Sequence, residues 1–204
     1  MIIQTIILVF AIVLIVFLVF WRFYFLRNPE RYSPRGRNIV APADGKIIKI
    51  MPISKKKISI KKGLMGKIKT LVKDTVENGY LISIFMSVLD VHINRAPVQG
   101  TVLSTKHRKG KFLIANNLKA LENEKNEIII KNDKLGKIKV ILIAGFLARR
   151  IICNVKENQK VIKGQRIGLI NLGSQVTLIL PKSIRLQIKE GQKVRAGETI
   201  LATY

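Results

Sequence analysis

The sequence has few of the side chains that most enzymes use as nucleophiles or metal ligands. Its 204 residues include one cysteine, two histidines and one tryptophan. A single cysteine excludes an intrachain disulfide, and the apolar run Ile151-Ile152-Cys153 favours a buried small hydrophobe over a nucleophile at Cys153. With two histidines and one cysteine available, we expect no dedicated metal site.

Acidic residues are also scarce. Lys and Arg number 37 against 12 Asp and Glu, which gives a formal net charge of +25 at pH 7. Such an excess indicates a polyanionic partner or surface, either nucleic acid or an anionic membrane. The run Lys55–Lys73 contains eight lysines, and no acidic residue lies between Asp44 and Asp74. This run predicts either a solvated loop or a segment held against an anionic leaflet, and the sequence leaves both open.

One long apolar run opens the chain. From Ile2 to Trp21 only Gln4 and Thr5 are polar, and a helix of that length spans about 30 Å, the thickness of the hydrocarbon core. Aromatic residues at 21, 23 and 24 are typical of the membrane interface. A cleaved signal peptide is disfavoured because no Lys or Arg precedes the run and no small-x-small cleavage site follows it. We therefore predict a membrane anchor over residues 1–24.

The charge that follows the anchor predicts its orientation. The nearby basic residues are Arg22, Arg27, Arg31, Arg35 and Arg37, whereas no charged side chain precedes residue 22. The positive-inside rule then places the rest of the chain in the cytoplasm, on a single-pass protein of the cell membrane. Residues 25–40 are polar and contain prolines, which predicts a connector. Residues 41–204 are predicted to form one domain.

The domain is predicted to be mostly β, of the α+β class. Short runs rich in Ile and Val lie between Gly, Pro or Asn, and they are Lys46–Ile50, Tyr80–Phe85, Gly100–Ser104, Glu127–Lys131, Lys137–Ala144, Arg149–Val155 and Gln175–Leu180. Leu113–Glu124 is the best helix candidate outside the anchor. We expect a compact β-sandwich or barrel-like domain after one transmembrane helix.

Two stretches repeat the same turn pattern. Gln159–Gly168 and Glu190–Ile200 each place Gln-Lys-Val after a turn, with a Lys or Arg and then a Gly within the next three residues. Such hairpins are typical of lipoyl- or biotinyl-type sandwiches, so a membrane-tethered adaptor without catalysis is an alternative. An adaptor would carry a modifiable Lys, usually after Met, and neither Met51 nor Met65 precedes one. A nucleic-acid partner is not expected, because no RNA-binding signature accompanies the positive charge.

Several motifs, taken together in this order, resemble the short, membrane-tethered phosphatidylserine decarboxylase proenzymes. They are Phe25-Leu26-Arg27-Asn28-Pro29-Glu30-Arg31, Ala41-Pro42-Ala43-Asp44-Gly45-Lys46, Phe85-Met86-Ser87-Val88-Leu89-Asp90-Val91-His92-Ile93-Asn94-Arg95-Ala96-Pro97, Gly110-Lys111-Phe112, Asn123-Glu124-Lys125-Asn126, Ile143-Ala144-Gly145-Phe146-Leu147-Ala148-Arg149-Arg150-Ile151, Leu172-Gly173-Ser174 and Ala196-Gly197-Glu198-Thr199. The resemblance covers most of the chain after the anchor.

The resemblance implies that the chain makes its own cofactor. Ser174 would attack the carbonyl of Gly173, and elimination and hydrolysis would leave a chain of residues 1–173 and one of residues 174–204 that begins with a pyruvoyl group. That group forms a Schiff base with the amine of phosphatidylserine and accepts the electrons released with carbon dioxide, giving phosphatidylethanolamine. The two chains would stay associated. Glycine suits the cleavage position because no Cβ blocks the attack.

The resemblance also implies roles for an acid and a base. Asp44 would activate Ser174 through a histidine, in the arrangement of a serine triad. His92 is the motif histidine and would also return a proton to carbon during turnover, since its ordinary pKa lies near neutrality. His107, in Lys106-His107-Arg108-Lys109, is expected at the surface or facing lipid.

Arginines are the candidates for binding the phosphodiester. Arg95, Arg149 and Arg150 could each meet phosphate oxygens bidentately. Arg95 stands where larger family members have a second histidine, so any role of that histidine cannot be transferred. Leu172 and Gln175 replace the Phe and Arg that often flank Gly-Ser in short members. The lipid backbone, ester-linked or archaeal ether-linked, stays open, as does a homo-oligomer.

Overall fold

The computed structural model describes residues 2–54, 72, 74–146, 150–171 and 173–204. The predicted basic run Lys55–Lys73 lies almost wholly outside the described residues, as do Arg149 and Leu172. Helix α1 (Ile2–Val19) continues as a π-helical turn (Phe20–Phe25), and a 3-10 turn covers Leu118–Glu122. The strands are β1 (Asn38–Val40), β2 (Gly45–Ser54), β3 (Asn78–Met86), β4 (Ile93–Arg95), β5 (Gly100–Arg108), β6 (Lys125–Asn132), β7 (Gly136–Ala144), β8 (Ile151–Cys153), β9 (Lys160–Val161), β10 (Arg166–Ile170), β11 (Ser174–Pro181), β12 (Arg185–Leu186), β13 (Lys193–Val194) and β14 (Ile200–Thr203).

An eight-stranded sheet dominates the described part of the domain. Its strand order is β13-β2-β3-β11-β7-β6-β5-β9, and the smaller sheets are β1-β14-β12 and β4-β10-β8. The pairings within these sheets are antiparallel. The mostly β prediction, with one N-terminal helix, is confirmed. The last three residues of the predicted connector belong to the domain, because they form β1 against β14.

The central strands β7 and β11 of the large sheet are buried on both faces. Along β7, Val140 and Leu142 pack into one hydrophobic cluster, whereas Ile141 and Ile143 pack into a second cluster on the other side. This follows from the alternation of side chains along a strand, and it explains why these strands read as continuous apolar runs. Strand β11 lies in the middle of the sheet, between β3 and β7, with its backbone paired on both sides.

The two repeated hairpin stretches make equivalent contacts. Gln159 and Gln192 each accept a bond through the side-chain oxygen from the backbone three residues earlier, at 3.0 and 3.2 Å. The backbone oxygens of the same two glutamines accept from Val102 and Ile47, near the starts of β5 and β2. The shared turn pattern therefore anchors two similar hairpins on the large sheet.

The apolar segment at the N-terminus is one helix, exposed along most of its length. The span Ile2–Phe25 covers 24 residues and is long and apolar enough to cross a membrane. Only its last residue is fully buried, since Phe25 packs into the domain. The chain leaves the helix before Pro29, which disfavours helical backbone at the residue before it.

The predicted helix over Leu113–Glu124 is wrong except for one turn. Only Leu118–Glu122 is helical, as a 3-10 turn, with the side chain of Asn117 accepting from Lys119 N at 2.8 Å. The side chain of Asn123 bonds to both backbone groups of Leu113, which holds the preceding residues as a loop. These tertiary bonds override the local helical pattern.

Candidate active site

The Gly173-Ser174 pair lies at the start of the central strand β11. Ser174 pairs with Met86, the last residue of β3, and with Ala144, the last residue of β7. All three residues are fully buried. The peptide bond between Gly173 and Ser174 therefore lies at one end of the strands of the large sheet. The loops after β3 and β7 leave from that same end.

Gly173 has the backbone conformation that favours glycine. Its φ is +61°, in the left-handed region, and a Cβ added there would meet no atom within 4 Å. The carbonyl oxygen of Gly173 instead lies against Gly145, where an added Cβ would come within 1.9 Å of that oxygen. Gly145 therefore allows the close backbone approach that fixes the Gly173 carbonyl.

The Ser174 hydroxyl lies beside a sulfur atom. Ser174 Oγ donates to Met86 Sδ at 3.3 Å, and Asn94 Nδ2 donates to the same sulfur at 3.6 Å. A thioether is a poor acceptor, so the hydroxyl is held without being committed to a strong partner. Met86 thus links the serine to β4, the strand that follows His92.

His92 is buried with one ring nitrogen unpaired. Its Nδ1 lies 2.8 Å from the carbonyl oxygen of Asp90, whereas Nε2 has no hydrogen-bond partner among the described residues. The ring packs on Phe25 with the centroids 4.4 Å apart. Burial lowers the pKa of His92, against smaller upward effects of the Asp90 carbonyl and of the charges on Asp90 and Asp44. The Asp90 bond orients the ring by making Nδ1 the protonated nitrogen and Nε2 the free base.

Asp44 is held by a residue of the connector. Arg31 donates from Nη1 and Nη2 to the two carboxylate oxygens at 2.5 and 2.8 Å, and Ala196 N donates to Oδ1 at 2.8 Å. Within the described residues, Asp44, His92 and Ser174 do not form one hydrogen-bonded chain. The triad implied by the resemblance therefore stays a prediction, and the partners of Asp44 in this structure are Arg31 and Ala196.

The three candidate arginines occupy different surroundings. Arg95 is buried and donates to the carbonyl oxygens of Gly164 and Pro29 at 3.0 and 2.8 Å. Burial and the neighbouring positive charges of Arg166 and Arg31 lower its pKa. Arg95 lines a cavity of about 770 Å³ whose lining does not include Gly173, Ser174 or His92. Arg150 is exposed, and Arg149 lies outside the described residues.

The remaining residues of chemical interest lie away from this site. His107 is exposed and approaches Glu124, with 3.4 Å between Nε2 and Oε1. Cys153 is half-buried in β8. Across residues 2–54, 72, 74–146, 150–171 and 173–204, no group of three or more His, Cys, Asp or Glu side chains could hold a metal ion.

The sequence did not predict four residues that shape this site. Gly145 contacts the Gly173 carbonyl, Phe25 covers His92, Arg31 binds Asp44, and Asn94 shares Met86 with Ser174. Asn94 also carries a buried side-chain oxygen without a partner in the described part of the chain. Buried polar atoms are usually paired, so the unpaired Nε2 of His92 and Oδ1 of Asn94 are both available to a further partner. All four residues lie in the motifs that carry the family resemblance, but nothing in the sequence indicated the contacts that they make here.

Comparison with known proteins matches nearly the whole chain. A model of the family described as phosphatidylserine decarboxylase matches residues 18–202. A phosphatidylserine decarboxylase proenzyme of Chlorobium phaeobacteroides is 42% identical over 183 residues, covering 89% of this chain and 78% of that protein. A putative archaetidylserine decarboxylase proenzyme of Methanothermobacter thermautotrophicus is 42% identical over 181 residues, covering 88% and 79%. A phosphatidylserine decarboxylase proenzyme of Wolbachia pipientis is 41% identical over 181 residues, covering 88% and 74%.

Proposed function

The chain belongs to the phosphatidylserine decarboxylase family, and we propose that it removes the carboxyl group from the serine headgroup of a phospholipid. The products are carbon dioxide and the corresponding ethanolamine lipid. The observation that carries the proposal is the buried Gly173-Ser174 pair at the start of the central strand, with a left-handed glycine before the serine. These features support attack on this peptide bond by its own serine.

Self-cleavage at this bond is the first step of the proposed function. Ser174 Oγ attacks the Gly173 carbonyl carbon, the amide nitrogen leaves and is protonated, and an ester joins the two residues. Loss of the α-proton of Ser174 expels the Gly173 carboxylate, and hydrolysis of the remaining enamine releases ammonia. Three features support the step: the open face of Gly173, the fixed position of its carbonyl and the weakly held serine hydroxyl.

The residues at position 173–174 fit a pyruvoyl group. Ser174 is buried and paired on both sides, so a keto group formed from it would be sheltered from water. When formed, the pyruvoyl group supplies a carbonyl that accepts the electron pair released with carbon dioxide. Cleavage yields chains of residues 1–173 and 174–204, which strand pairing of β11 with β3 and β7 would hold together.

We assign the proton transfers to Nε2 of His92. The unpaired Nε2 can accept the Ser174 proton as a base, and once protonated it can deliver a proton to the substrate carbon. Asp44 influences this nitrogen through its negative charge, which raises the pKa of His92 against the lowering by burial. Phe25 excludes water from one side of the ring.

The membrane arrangement follows from the N-terminal span. We propose that Ile2–Phe25 crosses the cell membrane once and that the arginines after it place the domain in the cytoplasm. The phosphodiester of the substrate then meets a protein of net charge +25. The site reads the serine headgroup, so an ester-linked and an ether-linked lipid are both suitable substrates.

Intact mass spectrometry of the purified full chain tests this function. The expected spectrum contains a fragment of residues 174–204 that begins with a pyruvoyl group, and vesicles containing phosphatidylserine should accumulate phosphatidylethanolamine. Ser174→Ala should remain one chain of 204 residues without activity. Ser183→Ala, an exposed serine in the same fragment, should be cleaved normally and serves as the control. Turnover by uncleaved Ser174→Ala would overturn the proposal.

A further inference from the structure

Three loops leave the large sheet at the end of the strands where the Gly173-Ser174 bond lies. The register places Ser174 beside Met86 and Ala144, the last residues of β3 and β7. In the next two strands, Lys125 at the start of β6 lies beside Arg108 at the end of β5. The loop after β3, the loop after β5 and the loop after β7 therefore all begin next to the candidate active site.

Exposed apolar side chains concentrate on these loops. Among the described residues after the anchor, seven large hydrophobic side chains are exposed, and five of them lie here. We call these five the rim: Val88, Leu89, Phe112, Ile114 and Phe146. Ile114 and Phe146 are 64% and 63% exposed. Exposed apolar side chains gathered at one place indicate an interaction surface, since scattered ones would need no explanation.

The rim is held firmly in place by buried polar side chains. Asn123 donates to the carbonyl oxygens of Leu113 and Ala144, which joins the Phe112 loop to the end of β7. With its amide oriented so that both atoms are bonded, Gln175 donates to the carbonyl oxygens of Asn117 and Ala115. The exposure of the rim is thus a feature of the folded domain.

The membrane anchor meets the domain beside the rim. Arg27, two residues after the span, donates to the Leu89 carbonyl oxygen at 2.5 Å. Phe25 packs on His92 and lies four residues beyond Trp21, in the same π-helical turn. If the hydrocarbon core ends near Trp21, as its aromatic side chain and the following arginine indicate, His92 and the rim lie at the level of the lipid headgroups.

Basic side chains surround the rim on its exposed side. Lys109 and Arg150 are exposed at this end of the strands, whereas the exposed Lys111 is paired with Glu122, and His107 approaches Glu124. Positive charge beside apolar side chains matches an anionic leaflet, whose surface is negative and whose interior is apolar. Continuity with the anchor and this charge both select a lipid bilayer over a protein partner.

We propose that the rim inserts into the bilayer interface, so that the end of β11 that carries the Gly173-Ser174 bond lies at the level of the lipid headgroups. The role of this contact in catalysis rests on the proposed function, but the contact itself does not require catalysis. A serine headgroup would then lie beside this end of β11 while its acyl chains stay in the leaflet. The rim makes the domain a second membrane contact in addition to the helix.

Fluorescence depth measurement tests the contact without using activity. In the uncleavable Ser174→Ala chain with Trp21→Phe, a tryptophan replacing Phe146 should be quenched by lipids brominated on their acyl chains, in vesicles containing anionic lipid. The control is a tryptophan replacing Ile162, which is 71% exposed and adjoins β9, at the opposite end of β5 from Arg108. It should not be quenched. Equal quenching at both positions, or none at either, overturns the proposal. Blue-shifted emission at position 146 without quenching would indicate a protein partner and also overturns it.

Activity on two forms of substrate tests the consequence. In the cleaving chain, Leu89→Ser combined with Phe146→Ser should lower turnover of vesicle phosphatidylserine about tenfold, because burying one such side chain is worth at least that factor. Turnover of a monomeric short-chain phosphatidylserine and the extent of self-cleavage should stay unchanged. Ile162→Ser should change none of these. An equal loss of turnover on both substrates overturns the proposal that the rim contacts the bilayer. Quenching at position 146 in a protein whose wild type has no turnover would refute the proposed function alone.

Discussion

Replacing Gly145 by alanine should slow the proposed self-cleavage between Gly173 and Ser174. The added Cβ would lie 1.9 Å from the Gly173 carbonyl oxygen and 2.8 Å from its carbon, whereas ordinary contacts begin at 3.4 Å. The scissile carbonyl would therefore have to move by about 1.5 Å. Since a misplacement of about 1 Å can cost roughly 10²-fold in rate, we expect self-cleavage of Gly145→Ala to slow by about that factor or more.

A second glycine provides a matched control. At Gly79, an added Cβ would lie 1.9 Å from the carbonyl oxygen of Leu180 and 3.0 Å from its carbon, an almost identical clash at the far end of β3 and β11. The two alanine variants should lose similar stability, measured as thermal unfolding in detergent. The rate at which the fragment of residues 174–204 appears on a denaturing gel should fall only in Gly145→Ala. Equal rates in the two variants would refute a positioning role for Gly145.

Two further predictions concern groups that contact the catalytic candidates. Burial lowers the pKa of His92, so the neutral ring should persist below pH 6.5. Phe25→Ala should raise this pKa, and the acid limb of the pH profile of the cleavage rate should then move to higher pH. Phe23→Ala, an exposed anchor aromatic, should leave that limb in place, and a similar shift in both variants would contradict the assignment. Arg31→Gln should cost about 3 kcal/mol in thermal unfolding, because it leaves the buried Asp44 carboxylate unpaired. Adding Asp44→Asn should recover much of that stability but no activity, and full activity of the double variant would exclude Asp44 from the chemistry.

The strands were predictable because burial on both faces leaves a clear signature. Lys137–Ala144 was predicted as a strand, and β7 spans Gly136–Ala144, whose buried run from Val140 to Ala144 is wholly apolar. The end of β5 was missed, because Lys106-His107-Arg108 reads as a solvated charge run. Pairing with β6 carries the strand to Arg108, whose guanidinium donates to Glu127 at 2.8 Å. Because Glu127 is distant in sequence from Arg108, this interaction leaves no local sequence pattern.

The site was predictable only as separate residues. Gly173 and Ser174 could be selected because a resemblance of ordered motifs singled them out, and the structure adds their backbone geometry. The partner of Asp44 could not be predicted, because Arg31 reads only as one of several arginines after the anchor. A Gly-to-carbonyl contact such as that of Gly145 also has no sequence signature, since it depends on how two strands approach each other.

The connector has no regular secondary structure before β1, yet it is bonded to the domain along its length. Arg27 binds the Leu89 carbonyl, Arg31 binds Asp44, and the hydroxyl of Ser33 donates to the Gly197 carbonyl at 2.7 Å. A flexible tether would let the domain rotate freely above the membrane, whereas these bonds transmit the orientation of the helix to the domain. Because Phe25 at the end of the helix packs on His92, tilting the anchor against the domain must disturb that ring. The anchor is therefore a structural part of the candidate active site as well as its attachment to the membrane.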